Sequence, residues 1–431
     1  MIKFLKILLT GILASFFFFP ITFSFLPAVN TKNLMAVFGL VLVIWYMIRE
    51  KDSSIPLEFI ILMLFSGTVS LVSLLSITIN QTPDTSYVSF IRATIIWLSS
   101  AFVVACAIRG THNRIDVPLV VHYLLGVCLF QCAAAMMIEY IPAVKLFVDR
   151  YVIQGQEMLQ QMNRLYGIGA SLDVAGSRFA AVLTAIAFML IQSPKKVSQG
   201  LYVFYIVSFL LIAIIGNMVA RTTLVGVVIG MVLIFLVFLF RPSLPEEGNK
   251  LPQIMIWVVI LLIGIAVSVY LYRTDPHTRK LFRFAFEGFF SMAEKGYWEV
   301  SSNETLKSMV VFPETLHTWI IGDGYFMNSR YDDNYLGDAT RGGFYMGTDV
   351  GYLRFIFYFG VVGLIPIIGI MVYSTIVCMR YFKQEQVLFL LALLVNMVVW
   401  LKVSTDIFLY FALFLCAAAL QWKNDKPAVP E

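Results

Sequence analysis

The chain has 431 residues, 60% of them hydrophobic and 13% charged, whereas a soluble globular chain is charged at about a quarter of its positions. That balance excludes a soluble enzyme and describes a chain that lives in lipid. The net charge of +5 sits in pairs beside apolar runs, with no basic stripe or aromatic-interleaved patch, which excludes a nucleic-acid surface.

Roughly 17–25 apolar residues are needed to cross a bilayer as a helix. Twelve runs approach or meet that length, at 5–26, 33–48, 56–78, 89–108, 117–139, 174–191, 201–217, 222–240, 254–272, 350–373, 386–402 and 405–421. The first is too long for a signal peptide and has no small-residue cleavage site, so it reads as a retained span. The expected fold class is an all-α polytopic membrane protein, one integral domain over residues 1–431 with about twelve transmembrane helices. Two excursions leave it, a smaller one at 140–173 and a large, partly helical one at 273–349, between the ninth and tenth spans.

Charge orients the chain. With Lys3 and Lys6 in the cytoplasm, the inner segments hold Arg49 and Lys51, Arg109 and Arg114, Lys195 and Lys196, Arg241 and Lys250, Arg380 and Lys383, and Lys423 and Lys426. Every inner segment is then basic, as the positive-inside rule asks. Both termini fall inside and both long excursions outside.

The smaller excursion has apolar residues at helical spacing over 143–159 (Val144, Phe147, Val148, Tyr151, Val152), which predicts an interfacial helix. Gly155, Gly167 and Gly169 then break it. The large excursion opens with clustered bases and aromatics. It continues through SSNETLKSMVVFPETLHTWIIG, whose polar start suits a helix N-cap, into a Gly-, Asp-, Asn- and Tyr-rich stretch that reads as irregular. Its aromatic density argues against disorder.

Charged side chains in or beside the spans carry the most information, because each costs on the order of 2.5–3.5 kcal/mol at the bilayer centre. They are Arg92, Glu139, Asp173, Arg178, Arg221, Asp349, Arg354, Lys402 and Asp406, all expected near outer helix ends. A basic cluster on that side opposes the positive-inside bias. Arginine suits phosphate because its planar fork donates two parallel hydrogen bonds and keeps its charge. Arg178 in DVAGSRFAAV, Arg221 in the short turn GNMVARTTLVG, and Arg279, Lys280 and Arg283 at the start of the large excursion form a candidate pyrophosphate-binding set. Snorkelling to the interface is the other reading. Asp349, in GTDVGYLRFIF, is placed either to take a proton from a sugar hydroxyl or to cap the tenth span. Arg354 either joins the phosphate set or pairs with Asp349.

The five cysteines, Cys106, Cys128, Cys132, Cys378 and Cys416, lie in apolar runs and read as small buried side chains. No HExxH, paired CxxC, Walker, GxGxxG or GxSxG pattern occurs, so neither a metal nor a nucleotide cofactor is expected.

The NMVARTTLVGVVIG turn, and a late stretch running NETLKSMVVFPETLHTWIIGDGYF into TDVGYLRFIFYFGVVGLI, together with about twelve spans, resemble the O-antigen polymerase and ligase superfamily over about residues 165–375. The resemblance rests on an arginine in the short outer turn, more basic residues in the large loop, and a glycine-x-glycine after a helix in that loop. Where ligases of this pattern usually carry His-Asn, this chain has Thr348-Asp349, which looks more like the polymerases.

That resemblance implies a bacterial inner-membrane, metal-independent glycosyltransferase with its active face in the periplasm. A growing O-antigen or capsule glycan would pass from undecaprenyl pyrophosphate to the non-reducing end of a new lipid-linked repeat unit. Asp349 and Arg221 would be catalytic, and Arg178, Arg279, Arg283 and Arg354 would hold the pyrophosphate. The loop aromatics Tyr297, Trp298, Trp319, Tyr325, Tyr331, Tyr335 and Tyr345 would stack on sugars or anchor at the interface. Partners would be the lipid-linked oligosaccharide, membrane lipid, and chain-length regulator and flippase proteins. The alternatives are a ligase moving glycan onto lipid A core, a flippase for lipid-linked oligosaccharide, and a non-catalytic assembly factor.

Overall fold

A computed structural model describes residues 2–49, 56–155, 159, 164–192, 198–240, 251–329, 332–337 and 343–422. Lys51, Lys195, Lys196, Arg241, Lys250, Tyr331, Lys423 and Lys426 of the sequence reading lie outside the described residues. The chain is nearly all helical, and a helix falls on each apolar run. These helices are α1 (Ile2–Phe18), α2 (Thr31–Arg49), α3 (Leu57–Ile79), α4 (Phe90–His112), α5 (Val117–Tyr140), α7 (Leu172–Leu190), α8 (Gln199–Val219), α9 (Thr223–Phe240), α10 (Leu251–Thr274), α15 (Gly351–Tyr381), α16 (Gln386–Val399) and α17 (Phe408–Trp422). Eight of them, α2–α5, α7–α9 and α15, are long and apolar enough to cross a membrane.

Between these lie α6 (Pro142–Tyr151), α11 (Pro276–Ala285), α12 (Glu287–Lys295), α13 (Ser301–Ser308) and the short α14 (Leu316–Ile320). The helix expected over 143–159 stops at Tyr151. The β-branched pair Val152–Ile153 is instead extended (β2) and pairs antiparallel with Thr22–Phe23 (β1), which satisfies backbone groups that an eight-residue continuation of the helix would have used internally. The polar start of SSNETLKS does not supply a side-chain cap, because α13 begins with Val300 at the cap position.

The chain packs as two compact units of interleaved segments, residues 1–31 with 116–299 (unit 1) and residues 32–115 with 300–431 (unit 2). The large excursion is divided between them.

Unit 1 is organised round α7, in which every residue from Ala175 to Leu190 is buried. Small residues let α9 cross it closely. A Cβ added to Gly226 would stand 2.3 Å from Ala180 Cα, so backbone meets backbone there. On the other side α5 packs against α1 and α8. Helix α5 starts on Asp116, whose carboxylate accepts from the Leu119 N–H at 2.9 Å.

Unit 2 is organised round α15, which runs antiparallel along α3, from Ser76 Oγ donating to Tyr358 O at 2.7 Å to Tyr381 OH donating to Glu58 at 3.2 Å. Helix α17 lies on α4. Helix α15 is interrupted at Phe359 and Gly360, where Gly360 has φ 64° and ψ −171°. The end of α14 is seated in that interruption. Asp323 N–H donates to Phe357 O at 2.6 Å and Gly324 N–H to Tyr358 O at 3.1 Å. Carbonyls freed by the break are thus re-satisfied, the condition for irregular backbone beside membrane helices. A Cβ on Gly360 would meet Ile320 O at 2.1 Å, so only glycine permits the docking.

Candidate functional site

In each unit, helix ends that the alternation assigns to the outer side meet, and each gathering holds an arginine against a carboxylate and aromatic rings. The sequence-derived residues divide between them: Arg178, Arg221, Arg279 and Arg283 belong to unit 1, Asp349 and Arg354 to unit 2.

In unit 1 the α8–α9 connection is a single tight turn, Ala220–Thr222, closed by Thr223 N–H to Ala220 O at 3.0 Å. Asp173 at the start of α7 accepts from Thr222 Oγ1 at 3.0 Å. Arg221 therefore projects from a rigid corner. It reaches the elbow between α11 and α12, donating Nε–H to Phe284 O at 3.0 Å and pairing Nη2 with Glu287 at 2.6 Å. The same elbow is fastened by Asn217 Nδ2 donating to Ala285 O at 2.6 Å. The Arg221 guanidinium carbon lies 4.2 Å from the centre of the Phe284 ring, and that of Arg164 lies 4.8 Å from it. Burial lowers the Arg221 guanidinium's affinity for its proton, Glu287 raises it, and the nearby Arg164 charge lowers it again. Arginine remains charged under such shifts, so two like charges are held on one ring. The Glu287 carboxylate offsets one of the two charges.

The other unit 1 arginines do different work. Arg178 is buried in the bundle, donates to Phe18 O at 2.5 Å at the end of α1, and lies over the Phe18 and Phe19 rings. Arg279 donates to Tyr272 O at 3.0 Å and Arg273 O at 3.1 Å, so it caps the last carbonyls of α10. Arg283 is about half exposed, pairs with Glu294 at 2.7 Å and lies over Phe290. Arg221 instead shares its ring with Arg164. Sequence reasoning passed over Arg164. Its only local signal is a charge just ahead of the LYGIGASLD turn, and its neighbour Phe284 is 120 residues away.

In unit 2, Arg354 is almost fully enclosed. Its guanidinium sits between the Phe326 and Phe344 rings, 3.7 and 4.1 Å from their centres. Nη1 donates to Ser404 Oγ at 2.7 Å and Nη2 to Phe326 O at 3.2 Å, and Asp349 stands 3.6 Å from Nη1. Asp349 is not at the cap position of α15, which Val350 occupies without a side-chain cap bond. Of the roles left open for the two residues, their mutual pairing is present.

Two further carboxylates shape this region. Asp84 accepts from the Phe326 and Met327 N–H groups at 2.8 and 3.1 Å, clipping the segment that supplies one ring of the arginine clamp. Asp406 accepts from Phe408 N–H at 2.8 Å and also lines a small cleft walled by Tyr87, Trp97, Phe355 and Trp400. Carboxylates that accept hydroxyl protons beside aromatic faces are the furniture of a sugar site, whereas paired guanidinium groups are that of a phosphate site.

His277 pairs with Glu139 at 2.5 Å on the surface of unit 1, and His317 bonds Asn80 at 2.9 Å in unit 2. Cys128 and Cys132 are buried one turn apart on α5, with free thiols. Comparison of the chain with protein-family models, with curated proteins and with solved structures finds no match in any of the three.

Proposed function

We propose that this chain is a polysaccharide polymerase of the bacterial inner membrane, with about twelve spans, both termini cytoplasmic and its working face periplasmic. It transfers a growing O-antigen or capsule glycan from undecaprenyl pyrophosphate to the non-reducing end of a new lipid-linked repeat unit. The observation that supports this reading best is the pair Arg164 and Arg221 on the Phe284 ring, with Glu287 an acid partner of Arg221.

In the reaction, the bond between the donor sugar's anomeric carbon and the diphosphate oxygen breaks. A bond from that carbon to an acceptor hydroxyl oxygen forms. The hydroxyl proton is lost to solvent, and the electron pair of the broken bond stays on the diphosphate. Arg221 and Arg164 stabilise that leaving charge, which grows toward the transition state. In unit 2, Arg354 at 3.6 Å orients Asp349. Chain-length regulator and flippase proteins are the expected partners.

The test is turnover of a synthetic undecaprenyl-pyrophosphate repeat unit by the full chain in nanodiscs, with EDTA and no nucleotide. A ladder of products that disappears in Arg221→Ala supports the polymerase. A folded chain that gives no ladder but moves the lipid between leaflets is a flippase, and the proposal then fails.

A further inference from the structure

We infer that Glu287 sets a charge threshold on the Arg164–Arg221 site, so that it admits diphosphate esters and turns away monoanionic phosphodiesters. The inference rests on the proposed reading of that site as one for anions.

Two guanidinium groups on one ring attract any phosphate. A protein embedded in a bilayer is surrounded by phosphodiester headgroups, each with a single phosphate negative charge, at far higher concentration than any lipid-linked glycan. An unguarded pair of arginines would be filled by bulk lipid. Here Arg221 already holds an anion of its own, the Glu287 carboxylate at 2.6 Å.

The attachment of that carboxylate suits exchange. Glu287 stands in the first turn of α12, directly after Phe286, whose φ −119° and ψ 31° separate α11 from α12. It is 31% exposed against 13% for Arg221, so water can take up the carboxylate when it leaves. Arg221 does not depend on it for position. The guanidinium is also held by Nε–H to Phe284 O and by the face of the Phe284 ring, and the elbow by Asn217 to Ala285 O.

A monoanion that displaces Glu287 replaces one negative charge by another and gains little. A diphosphate ester brings two charges to two cations and gains the attraction of the second. The same two arginines without the carboxylate would bind both classes well. Glu287 is thus a specificity-determining residue and takes no part in bond making.

The experiment measures binding of inorganic pyrophosphate and of dimethyl phosphate, a phosphodiester monoanion, to the full chain in detergent. It compares the natural chain with Glu287→Gln, with melting temperatures as the check on folding. The expected result is a strong preference for pyrophosphate in the natural chain. In Glu287→Gln, dimethyl phosphate should tighten by about two- to fivefold, by the charge-pair scale of exposed sites, and the preference should shrink. Glu287→Asp, with a shorter reach, should shift the same way by less and serves if the glutamine variant does not fold.

An unchanged preference, or weaker binding of both anions in Glu287→Gln, overturns the inference and makes Glu287 a positioner of Arg221. In that case Arg221-dependent pyrophosphate binding by the natural chain leaves the anion site standing. If the folded natural chain binds neither anion, the anion site and this inference both fall.

Discussion

Arg221 in unit 1 and Arg354 in unit 2 look alike as sequence, each an arginine beside an apolar run, and in the fold each meets a carboxylate and aromatic rings. Their surroundings differ in kind. Arg354 is clamped between two rings, with Nη1 donating to Ser404 and Nη2 to a backbone carbonyl. Arg221 leans on one ring, shares it with Arg164, and pairs with a carboxylate nearly a third exposed. A buried cation whose partners are all internal is part of the framework. One whose partner is partly exposed and whose neighbour is another cation is, on the proposed reading, placed to receive an anion. Residue type alone cannot separate the two; enclosure does.

The largest effects break this contrast directly. Arg221→Ala should lower polymerisation by about 100-fold or more, the scale of losing a group that stabilises transition-state charge, while the melting temperature changes little. Arg221→Lys should not rescue it, since an ammonium neither stacks on Phe284 nor donates a planar fork. Arg354→Ala should instead unfold unit 2 more easily, by about 3 kcal/mol, because Asp349 loses the guanidinium 3.6 Å away and two rings lose their filling. Activity assays beside thermal unfolding separate the two. Equal loss of stability in both variants would erase the distinction.

A medium effect probes the seat of α14 in α15. Gly360→Ala puts a methyl group onto Ile320 O at a positive φ, and should cost about 1–3 kcal/mol by overpacking. Gly264→Ala, inside α10 where an added Cβ meets nothing within 4 Å, is the control and should not destabilise the chain. Limited proteolysis should find the segment around Gly322 newly cleavable in the first variant alone.

The helices were legible because apolar runs of membrane length leave the backbone no other way to satisfy its hydrogen bonds. The turn that carries Arg221 was legible too, since a charge between two closely spaced apolar runs marks a connection. Its neighbours were not. Phe284 and Glu287 lie more than sixty residues further on, and nothing local marks them as the elbow that meets the turn. The interruption of α15 was hidden for another reason. FYFGVVG reads as unbroken span, and one glycine within an apolar helix is ordinary; the φ of Gly360 is imposed by α14 docking from a distant segment. The interleaving of the two units left no composition shift at residue 115 or 299 to reveal it.

The smallest effects lie in pH dependence, where the units should respond with opposite sign. In unit 2, burial raises the Asp323 carboxyl above the usual range, against the pull of bonds from Thr318 and Tyr345 and of the His317 charge. A raised folded value favours the protonated form. Its contribution is therefore full below the unfolded value near 4 and is lost as pH rises through the folded one. In Asp323→Asn, thermal stability should not show that fall.

In unit 1, bonds from the Thr278 hydroxyl and N–H, then from His277 N–H, hold Asp275 down to about 2 as it caps α11. A depressed folded value works the other way, with the contribution full above about 4 and lost as pH falls toward about 2. Asp275 is solvent-exposed, so the effect should be small and should shrink further in salt. Acid titration of α11 by amide exchange should show its first turn opening early in that window in the natural chain. In Asp275→Asn, which retains a neutral cap oxygen, the turn should open independently of pH. Opening at the same pH in both would mean that the cap carboxylate does not report on α11, and the opposite response of the two units would rest on Asp323 alone.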